Sequence, residues 1–248
     1  MANIDVQRND GWLSISLARP EKYNALTVQM YGELADLVNT AAADDSINVV
    51  LITGGRQFFT SGNDLKDFME RPPTDLDAPA FRFMAAVVNL DKPLIACVCG
   101  PAVGIGTTLL PHCDFVVASV NSQFSTPFVK LGLCQEFGAS LLFPQRLGHG
   151  RAARLLLAGE RIEARTALDW GLCTHLLETP EECHATAVDM ARALARAPKT
   201  ALRVSKRLLK KPPREALLAI IREENLAFIE CLQSEDSQAA LRALVNKR

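Results

Sequence analysis

Apolar and polar residues alternate at the N-terminal end of the chain. The segment IDVQR is followed by Asn9, Asp10 and Gly11, and then by WLSISLA. Period-two alternation is typical of half-buried strands, and an Asp-Gly pair supplies the positive φ angles that a tight hairpin requires. The pattern therefore predicts that the first two strands form a hairpin.

The next segment, from Thr27 to Ala43, changes to a helical period. Its apolar residues recur every three to four positions, at Met30, Leu34, Leu37, Val38 and Ala41. That spacing places them on one face of an α-helix. We therefore predict an amphipathic helix over this segment.

Three short apolar runs come next, in the order INVVLITGG, KPLIACVCG and DFVVAS. Continuous runs of this length are typical of strands that are buried on both faces of a sheet. Residues 80–90 are predicted to be helical, and the second run leads through a glycine-rich loop into another helix. The unit of strand, loop and helix thus recurs, whereas the polar, proline-containing residues 65–80 are predicted to form a surface excursion.

The chain becomes mostly helical from Phe137 onward. Helices are predicted for LLFPQRLG, GRAARLLLAG and RIEARTALDWG, because each segment is closed by glycine, the residue that best ends a helix. Residues 173–177 are predicted as one more short strand. Thr179, Pro180 and Glu182 form a helix start with a capping box, and helices are predicted over most of 181–246.

The tail from about Pro198 contains more amphipathic elements than one face of a small sheet accommodates. We predict two regions, an α/β core at 1–195 and a C-terminal helical region at 196–248. The pattern alone leaves open whether the second region packs against a neighbouring subunit or forms a helical layer of the same domain.

Composition limits the classes of partner. The 248 residues are 48% apolar, and 27 Lys and Arg against 28 Asp and Glu leave a net charge of -1, so no global field favours a nucleic acid or an anionic membrane. The apolar runs are shorter than the roughly 18 to 20 residues of a membrane helix. The polar N-terminus has no signal-peptide pattern, and a cytoplasmic protein is expected.

Seven cysteines and four histidines are the candidate metal ligands and thiols. The cysteines contain no C-x-x-C pair, and Cys97 and Cys99 are expected to share one face of a strand. Reduced, buried thiols are predicted. The histidines form no pair with metal-ligand spacing, so we expect neither a structural metal nor a cofactor.

Two glycine-containing loops, FTSGND at 59–64 and GPAVGIGTTLL at 100–110, each follow a buried apolar run. Leu109 stands where a dinucleotide fingerprint requires its third glycine, no lysine is present for a P-loop, and Ser61 lacks the flanking glycines of a hydrolase elbow. Each loop can direct one backbone N–H at a single oxygen, and a helix that starts near Gly106 adds its positive end. The loops therefore indicate an oxyanion hole, with ordinary tight turns as the alternative.

Five segments stand in a characteristic order and spacing: FTSGNDLKDF, KPLIACVCGPAVGIGTTLLPHCDFVVAS, FSTPFVKLGL, FPQRLG and LLLAGERIEARTALDWGL. This series resembles the enoyl-CoA hydratase/isomerase superfamily, and the resemblance extends from the first hairpin into the tail. It implies an α/β crotonase-like spiral of repeated ββα units with a C-terminal α-helical trimerisation region. It also implies an acyl-CoA substrate and a homotrimer or a dimer of trimers.

The resemblance also implies site residues. The family's two oxyanion donors correspond to the N–H groups of Asn63 and Ile105. The residues expected to bind coenzyme A are Lys22, Tyr23, Ala25, Ser61, Asp64 and Leu65. Lys206, Lys210 and Lys211 are weaker candidates for neutralising its phosphates. Asp64 has a second interpretation, which is to hold its loop through hydrogen bonds to the backbone.

The acid–base residues distinguish the branches of this family. The two glutamates of hydratases correspond to Thr108 and Phe128, so both carboxylates are missing. Glu136 resembles the single glutamate of the peroxisomal type of delta3,delta2-enoyl-CoA isomerase, which implies an isomerase. Apolar neighbours are expected to raise the pKa of Glu136 from about 4.3 toward roughly 6 to 7. The alternatives are an acyl-CoA hydrolase or a binding protein without catalysis.

Overall fold

A computed structural model of the chain describes residues 3–210 and 214–245. Nine strands and eleven α-helices lie within these residues. The strands are β1 Ile4–Asn9, β2 Trp12–Leu17, β3 Val49–Thr53, β4 Leu94–Val98, β5 Pro101–Val103, β6 Phe115–Ser119, β7 Gln123–Ser125, β8 Arg161–Glu163 and β9 His175–Leu177. The helices are α1 Val28–Ala43, α2 Leu65–Glu70, α3 Pro79–Asn89, α4 Ile105–Thr108, α5 Ala139–Leu147, α6 His149–Leu156, α7 Ala164–Asp169, α8 Pro180–Ala195, α9 Lys199–Lys210, α10 Arg214–Gln233 and α11 Glu235–Val245.

The main sheet has six strands in the order β1-β2-β3-β4-β6-β9. The hairpin predicted at the N-terminus is confirmed, because β1 and β2 pair in antiparallel register with Ile4 opposite Leu17. Every other pair in this sheet is parallel. The C-terminal ends of β3 and β4 therefore lie side by side, and the two glycine-containing loops leave the sheet at this common edge.

Both faces of the main sheet are covered, which explains the continuous apolar runs in the sequence. Val49 and Leu51 of β3 face α8, where Ala187 and Ala191 pack against them. Val50 faces the opposite side and belongs to the larger core under α1 and α3. A parallel strand with helices on both sides buries all its side chains, and all five residues of β3 are buried.

A second, smaller sheet has three strands in the order β5-β7-β8. Its third strand corrects the sequence interpretation, because the RIE of RIEARTALDWG forms β8 and the helix α7 begins only at Ala164. Ile162 pairs with Phe124 of β7 and is buried. A segment of three residues is too short for its hydrophobic period to distinguish a strand from the first turn of a helix. Its pairing with β7 makes it a strand.

Helix starts are where the sequence was most informative. Thr27 caps α1 by accepting a hydrogen bond from the N–H of Met30, and Thr179 and Glu182 form the predicted capping box at α8. The surface excursion predicted at 65–80 is wrong in its first part. This part forms α2, whose Phe68 is buried against Phe228 of α10.

The C-terminal helices α9, α10 and α11 follow α8 after a short break. The break lies beside the predicted boundary at 195, and the division into two regions stays a prediction. Helix α10 packs against α3 and α5, and α11 packs against α2. Among the helices of residues 3–210 and 214–245, none combines the length and the apolar character needed to cross a membrane.

Candidate active site

The two glycine-containing loops are fastened to each other at the edge of the main sheet. Thr60 and Ala102 form an isolated parallel bridge, in which the N–H of Val103 donates to the Thr60 carbonyl at 2.9 Å. A Cβ on Gly106 would lie 2.5 Å from the Thr60 Cγ2, and one on Gly62 would lie 3.0 Å from the Val103 oxygen. The glycines are therefore required for the close approach of the loops.

Two backbone N–H groups at these loops have no acceptor within the described residues. Asn63 pairs with Leu26, but the hydrogen bonds of that bridge come from the N–H groups of Leu26 and Asp64, both at 2.8 Å. Ile105 is the first residue of α4, so its N–H has no intrahelical partner. Both residues line one cavity of about 860 Å³. Their N–H groups are thus available to a bound oxygen.

Glu136 lies in the turn before α5 and is only 3% exposed. Together with Asn63 it lines a second cavity, of about 360 Å³, and Asn63 and Phe68 line both cavities. The hydroxyl of Thr108 donates to the Glu136 Oε1 at 3.3 Å. The threonine that stands at a hydratase glutamate position therefore contacts the remaining carboxyl group.

Burial raises the pKa of Glu136 to about 8. The hydrogen bond from Thr108 opposes this shift, because it stabilises the charged form, and the nearby carboxyl of Glu224 adds to it. The direction agrees with the sequence expectation, while the size is larger than the roughly 6 to 7 expected. The sequence placed apolar residues next to Glu136 but contained no sign of complete burial or of a second carboxyl group.

The turn that carries Glu136 has an unusual backbone. Phe137 is not a glycine but has a φ of 62°, and Gly138 follows with a φ of 72°. His112 Nε2 lies 2.7 Å from the Phe137 carbonyl oxygen, and the His112 ring stacks on the Phe137 ring at 4.0 Å between centroids. Burial lowers the pKa of His112 to about 3. The imidazole is therefore neutral, and its Nε2–H donates to this carbonyl.

Tyr31 of α1 is a site residue that the sequence interpretation missed. Its hydroxyl donates to the Asn63 Oδ1, and its side chain lines the smaller cavity with Glu136. Burial raises its pKa well above the usual value, and the charge of Glu136 adds to the shift. Tyr31 therefore stays neutral and holds the side chain of Asn63. The sequence interpretation did not name Tyr31 among the apolar positions of the predicted helix.

Three predicted coenzyme A residues come from the first loop. Ser61 and Leu65 line the larger cavity beside Asn63. Asp64 instead accepts a hydrogen bond from Arg19 Nη1 at 2.6 Å and caps α2 through the N–H of Asp67. This arrangement matches the second interpretation of Asp64, which is to hold the loop.

The other three predicted residues come from the turn after β2. Tyr23 is 52% exposed and packs edge-on against Phe58, while Lys22 is exposed and Ala25 is buried. None of the three is among the described residues that line the larger cavity. The Tyr23 carbonyl accepts the N–H of Ser61 at 3.0 Å, so this turn borders the first loop. Their role in binding stays a prediction.

Lys206 and Lys210 of α9 make contacts within the fold. Lys206 is buried in an ion pair with Asp114, and Lys210 donates to carbonyls at the end of α3, including that of Val87 at 3.0 Å. Neither of these lysines is among the described residues that line the larger or the smaller cavity. Lys211 lies outside the described residues.

Three thiols meet between the main sheet and α8. The sulfur atoms of Cys97, Cys99 and Cys183 lie within 4.8 Å of one another. Cys97 and Cys99 share a face as predicted, and Cys183 Sγ donates to the Val117 carbonyl at 3.3 Å. A thiol that donates to a carbonyl in an apolar core is held in its neutral form. All seven cysteines are free of disulfides, and the absence of a metal stays a prediction.

Two backbone amides and one buried carboxyl group, in two cavities that share Asn63 and Phe68 in their linings, are the groups needed by a class of enzyme that stabilises a developing oxyanion and moves a proton beside it. Residues 7–248 match the family model described as "Enoyl-CoA hydratase/isomerase". The chain belongs to the enoyl-CoA hydratase/isomerase family, and the predicted crotonase-like fold is confirmed by its solved relatives. The solved structure of Pseudomonas aeruginosa OdaA covers 98% of this chain and 99% of its own, with 45% identity and a TM-score of 0.96.

Curated relatives carry more than one reaction. The chain is 36% identical to human enoyl-CoA delta isomerase 2 over 98% of its own length, and it spans 63% of the length of that relative. It is 31% identical to 2,3-dehydroadipyl-CoA hydratase of Escherichia coli (strain K12), over 100% of this chain and 97% of the relative. The reaction of this chain therefore depends on the groups in its own site.

Proposed function

We propose that the protein moves the double bond of a 3-enoyl-CoA to give the 2-enoyl-CoA, with Glu136 as its proton carrier. The observation that carries this proposal is one buried carboxyl group beside two free amides. The other carboxylates along the smaller cavity are engaged or exposed. Asp67 accepts from the Val28 N–H at 2.7 Å and pairs with Arg71, while Asp75 and Asp77 are exposed.

The proposed reaction moves a proton across an allylic system. The Glu136 carboxylate removes a proton from C2, and the electrons of that C–H bond pass into a dienolate whose negative charge rests on the thioester oxygen. The N–H groups of Asn63 and Ile105 stabilise this oxygen. The protonated carboxyl group then returns the proton at C4. A pKa of about 8 suits this cycle, because the group must accept and release a proton near neutral pH.

The residues at the hydratase positions favour isomerisation over hydration. Water addition needs a carboxylate that activates the water and an acid that protonates C2. Thr108 supplies neither group, and Phe128 is an apolar ring that lines the larger cavity. A single carboxyl group is sufficient for isomerisation, since the proton that it removes is the proton that it returns.

The test is product analysis with 3-hexenoyl-CoA and 2-hexenoyl-CoA. We expect 2-hexenoyl-CoA from the first substrate, no 3-hydroxy product from the second, and no release of free CoA thiol. Glu136→Gln should reduce the isomerisation rate by about 10²- to 10⁴-fold, because it removes the proton carrier. A matched control is Glu230→Gln, which removes an exposed carboxylate from α10.

Each contrary product would support a different reaction. Rapid formation of a 3-hydroxy product would identify a hydratase, and thiol release would identify a hydrolase. Binding of acyl-CoA with turnover unaffected by Glu136→Gln would contradict the role of Glu136.

The remaining features are proposals as well: a homotrimer or a dimer of trimers, a cytoplasmic location and no cofactor apart from the CoA of the substrate. Three exposed leucines on the C-terminal helices support an assembly: Leu208 at 60%, Leu209 at 77% and Leu226 at 51% exposure. Sedimentation equilibrium measures the mass of the assembly directly, and a monomer at micromolar concentration would contradict it.

A further inference from the structure

We infer that Glu224 of α10 is a positioning residue for the catalytic base: it caps α5, holds the Glu136 turn in place and sets a negative charge beside it. This inference rests on the proposed role of Glu136. It assigns part of the active-site geometry to the C-terminal helical region.

Helix α5 begins without a cap of its own. The residue before it is Gly138, which has no side chain, and no local side chain caps the helix. The first N–H groups of a helix need acceptors from elsewhere. Glu224 supplies two such acceptors, although it lies 86 and 84 residues further along the chain. Its Oε2 accepts the N–H of Gly138 at 2.5 Å, and its Oε1 accepts the N–H of Ser140 at 2.8 Å.

The hydrogen bonds of Glu224 indicate its charge state. A third donor, the Ser140 hydroxyl, lies 2.5 Å from the Oε1, so three donors converge on two oxygens of a side chain whose residue is 6% exposed. An ionised carboxylate only accepts, and the N-terminus of a helix favours negative charge. Burial raises the pKa of Glu224, and the hydrogen bonds from Ser140 and Gly138 oppose that rise. The geometry favours the carboxylate.

The capped residues belong to the turn that carries the base. The N–H of Ala139 donates to the carbonyl of Glu136 at 3.1 Å, and Gly138 is two residues beyond Glu136. A Cβ on Gly138 would lie 2.3 Å from the Leu217 Cδ1. Helix α10 therefore approaches this backbone closely as well as capping it. A shift of α10 would move the turn, because the two elements are closely packed.

Charged and titratable groups of several elements surround the base. The titratable groups around Glu136 are Tyr31 of α1, Asp67 and Arg71 of α2, Asp75 and Asp77 after α2, His112 in the turn after α4, and Glu224 of α10. Tyr31 and His112 are neutral, and Asp67 and Arg71 compensate each other. Asp75 and Asp77 are exposed, so solvent screens their charges. Glu224 is therefore the buried charge that remains, and it disfavours ionisation of Glu136.

The test is Glu224→Gln, with Glu230→Gln of the same helix as the matched control. The amide keeps the volume, but one of its polar atoms becomes a donor that cannot accept from the turn. We expect kcat to fall by about 10- to 100-fold through misplacement of the base, with KM little changed because Glu224 lines neither cavity. The acid limb of the kcat–pH profile should move to lower pH, because the like charge is gone. The control should behave as wild type.

Two further measurements keep the inference testable. Ser140→Ala removes one of the three donors and should change kcat in the same direction by a smaller factor, even if Glu224→Gln fails to fold. The ¹³C titration of the glutamate carboxyls, assigned with Glu136→Gln, reports the midpoint of Glu136 without any substrate. A midpoint that moves to lower pH in Glu224→Gln supports the inference whether or not the wild type isomerises 3-hexenoyl-CoA.

The outcomes separate the two claims. If the wild type does not isomerise but the Glu136 midpoint responds to Glu224→Gln, then the proposed function fails and the coupling stands. If the wild type isomerises but kcat, the acid limb and the midpoint are all unchanged in Glu224→Gln, then the role of Glu224 is overturned.

Discussion

The loops that carry Asn63 and Ile105 are fastened to each other by backbone hydrogen bonds, whereas the turn that carries Glu136 is fastened to distant elements by the side chains of His112 and Glu224. On the oxyanion side, Thr60 and Ala102 bridge the two loops just beyond neighbouring parallel strands. On the base side, His112 and Glu224 bind the backbone around the carboxyl group. A change in the loop backbone would therefore displace the oxyanion donors, whereas the loss of a distant side chain would displace the base.

This difference concerns the kind of rigidity that each role needs. An oxyanion donor is a backbone N–H, so its direction follows from the path of the loop and from the glycines that permit it. A base must also have a suitable proton affinity. That property depends on burial and on neighbouring charges and hydrogen bonds, which side chains supply.

Gly106→Ala acts on the oxyanion side and should have the largest effect on activity among the variants that keep Glu136. The new methyl group would meet the Thr60 Cγ2 at 2.5 Å. Thr60 cannot rotate away, because its hydroxyl donates to the Asn24 carbonyl and accepts the Gly62 N–H. We expect the loops to separate and kcat/KM to fall by about 10²-fold or more.

The double variant Gly106→Ala, Thr60→Ser is the matched control for this clash. Serine keeps the hydroxyl and lacks the methyl group, so the loops should close again and most of the lost rate should return. If the single variant retains full activity, then close contact between the loops does not determine the position of the donors.

Glu136→Gln should raise the free energy of unfolding at alkaline pH by up to a few kcal/mol, because it removes a buried carboxylate. The folded-state pKa is about 8 and the ordinary value is 4.5. Between pH 4.5 and about pH 8 the folded state therefore keeps a proton that the unfolded state has lost. The contribution of Glu136 to stability declines as the pH rises through this window. Below pH 4.5 both states are protonated, and the variant loses its advantage.

Urea denaturation of the wild type and Glu136→Gln at pH 4 and pH 9 measures this contribution. The difference in the free energy of unfolding should be near zero at the lower pH and should favour the variant at the higher pH. An equal difference at both values would mean that the carboxyl group of Glu136 is not desolvated in the folded state.

Thr108→Val should have the smallest effect and acts on the base side. Valine has nearly the same shape but cannot donate to Glu136, so the charged form of the carboxyl loses a hydrogen bond. We expect the acid limb of the kcat–pH profile to move up by about half a unit to one unit. Glu224→Gln should move it in the opposite direction. A downward shift in Thr108→Val would contradict the assignment of Thr108 as the donor.

Sequence reasoning performed differently on the two sides of the site. The two loops are recognisable because glycines follow apolar runs, and the hairpin, the long helices and the capping box at Thr179 are predicted correctly for the same local reasons. The individual residues Asn63, Ile105 and Glu136 come from the family resemblance. The strand β8 was read as part of a helix. Its assignment depends on pairing with β7, and that pairing is a contact across about 40 residues.

What the sequence by itself determined is most of the local structure: the N-terminal hairpin, the long buried strands, the long helices and the chain positions of one carboxyl group and two glycine loops. Only the tertiary structure decided that Tyr31, His112 and Glu224 surround those groups, since they come from three separate helical segments. The physical reason is range. Backbone conformation follows from neighbouring residues, whereas burial and the charges that set a pKa depend on groups that folding brings together from far along the chain.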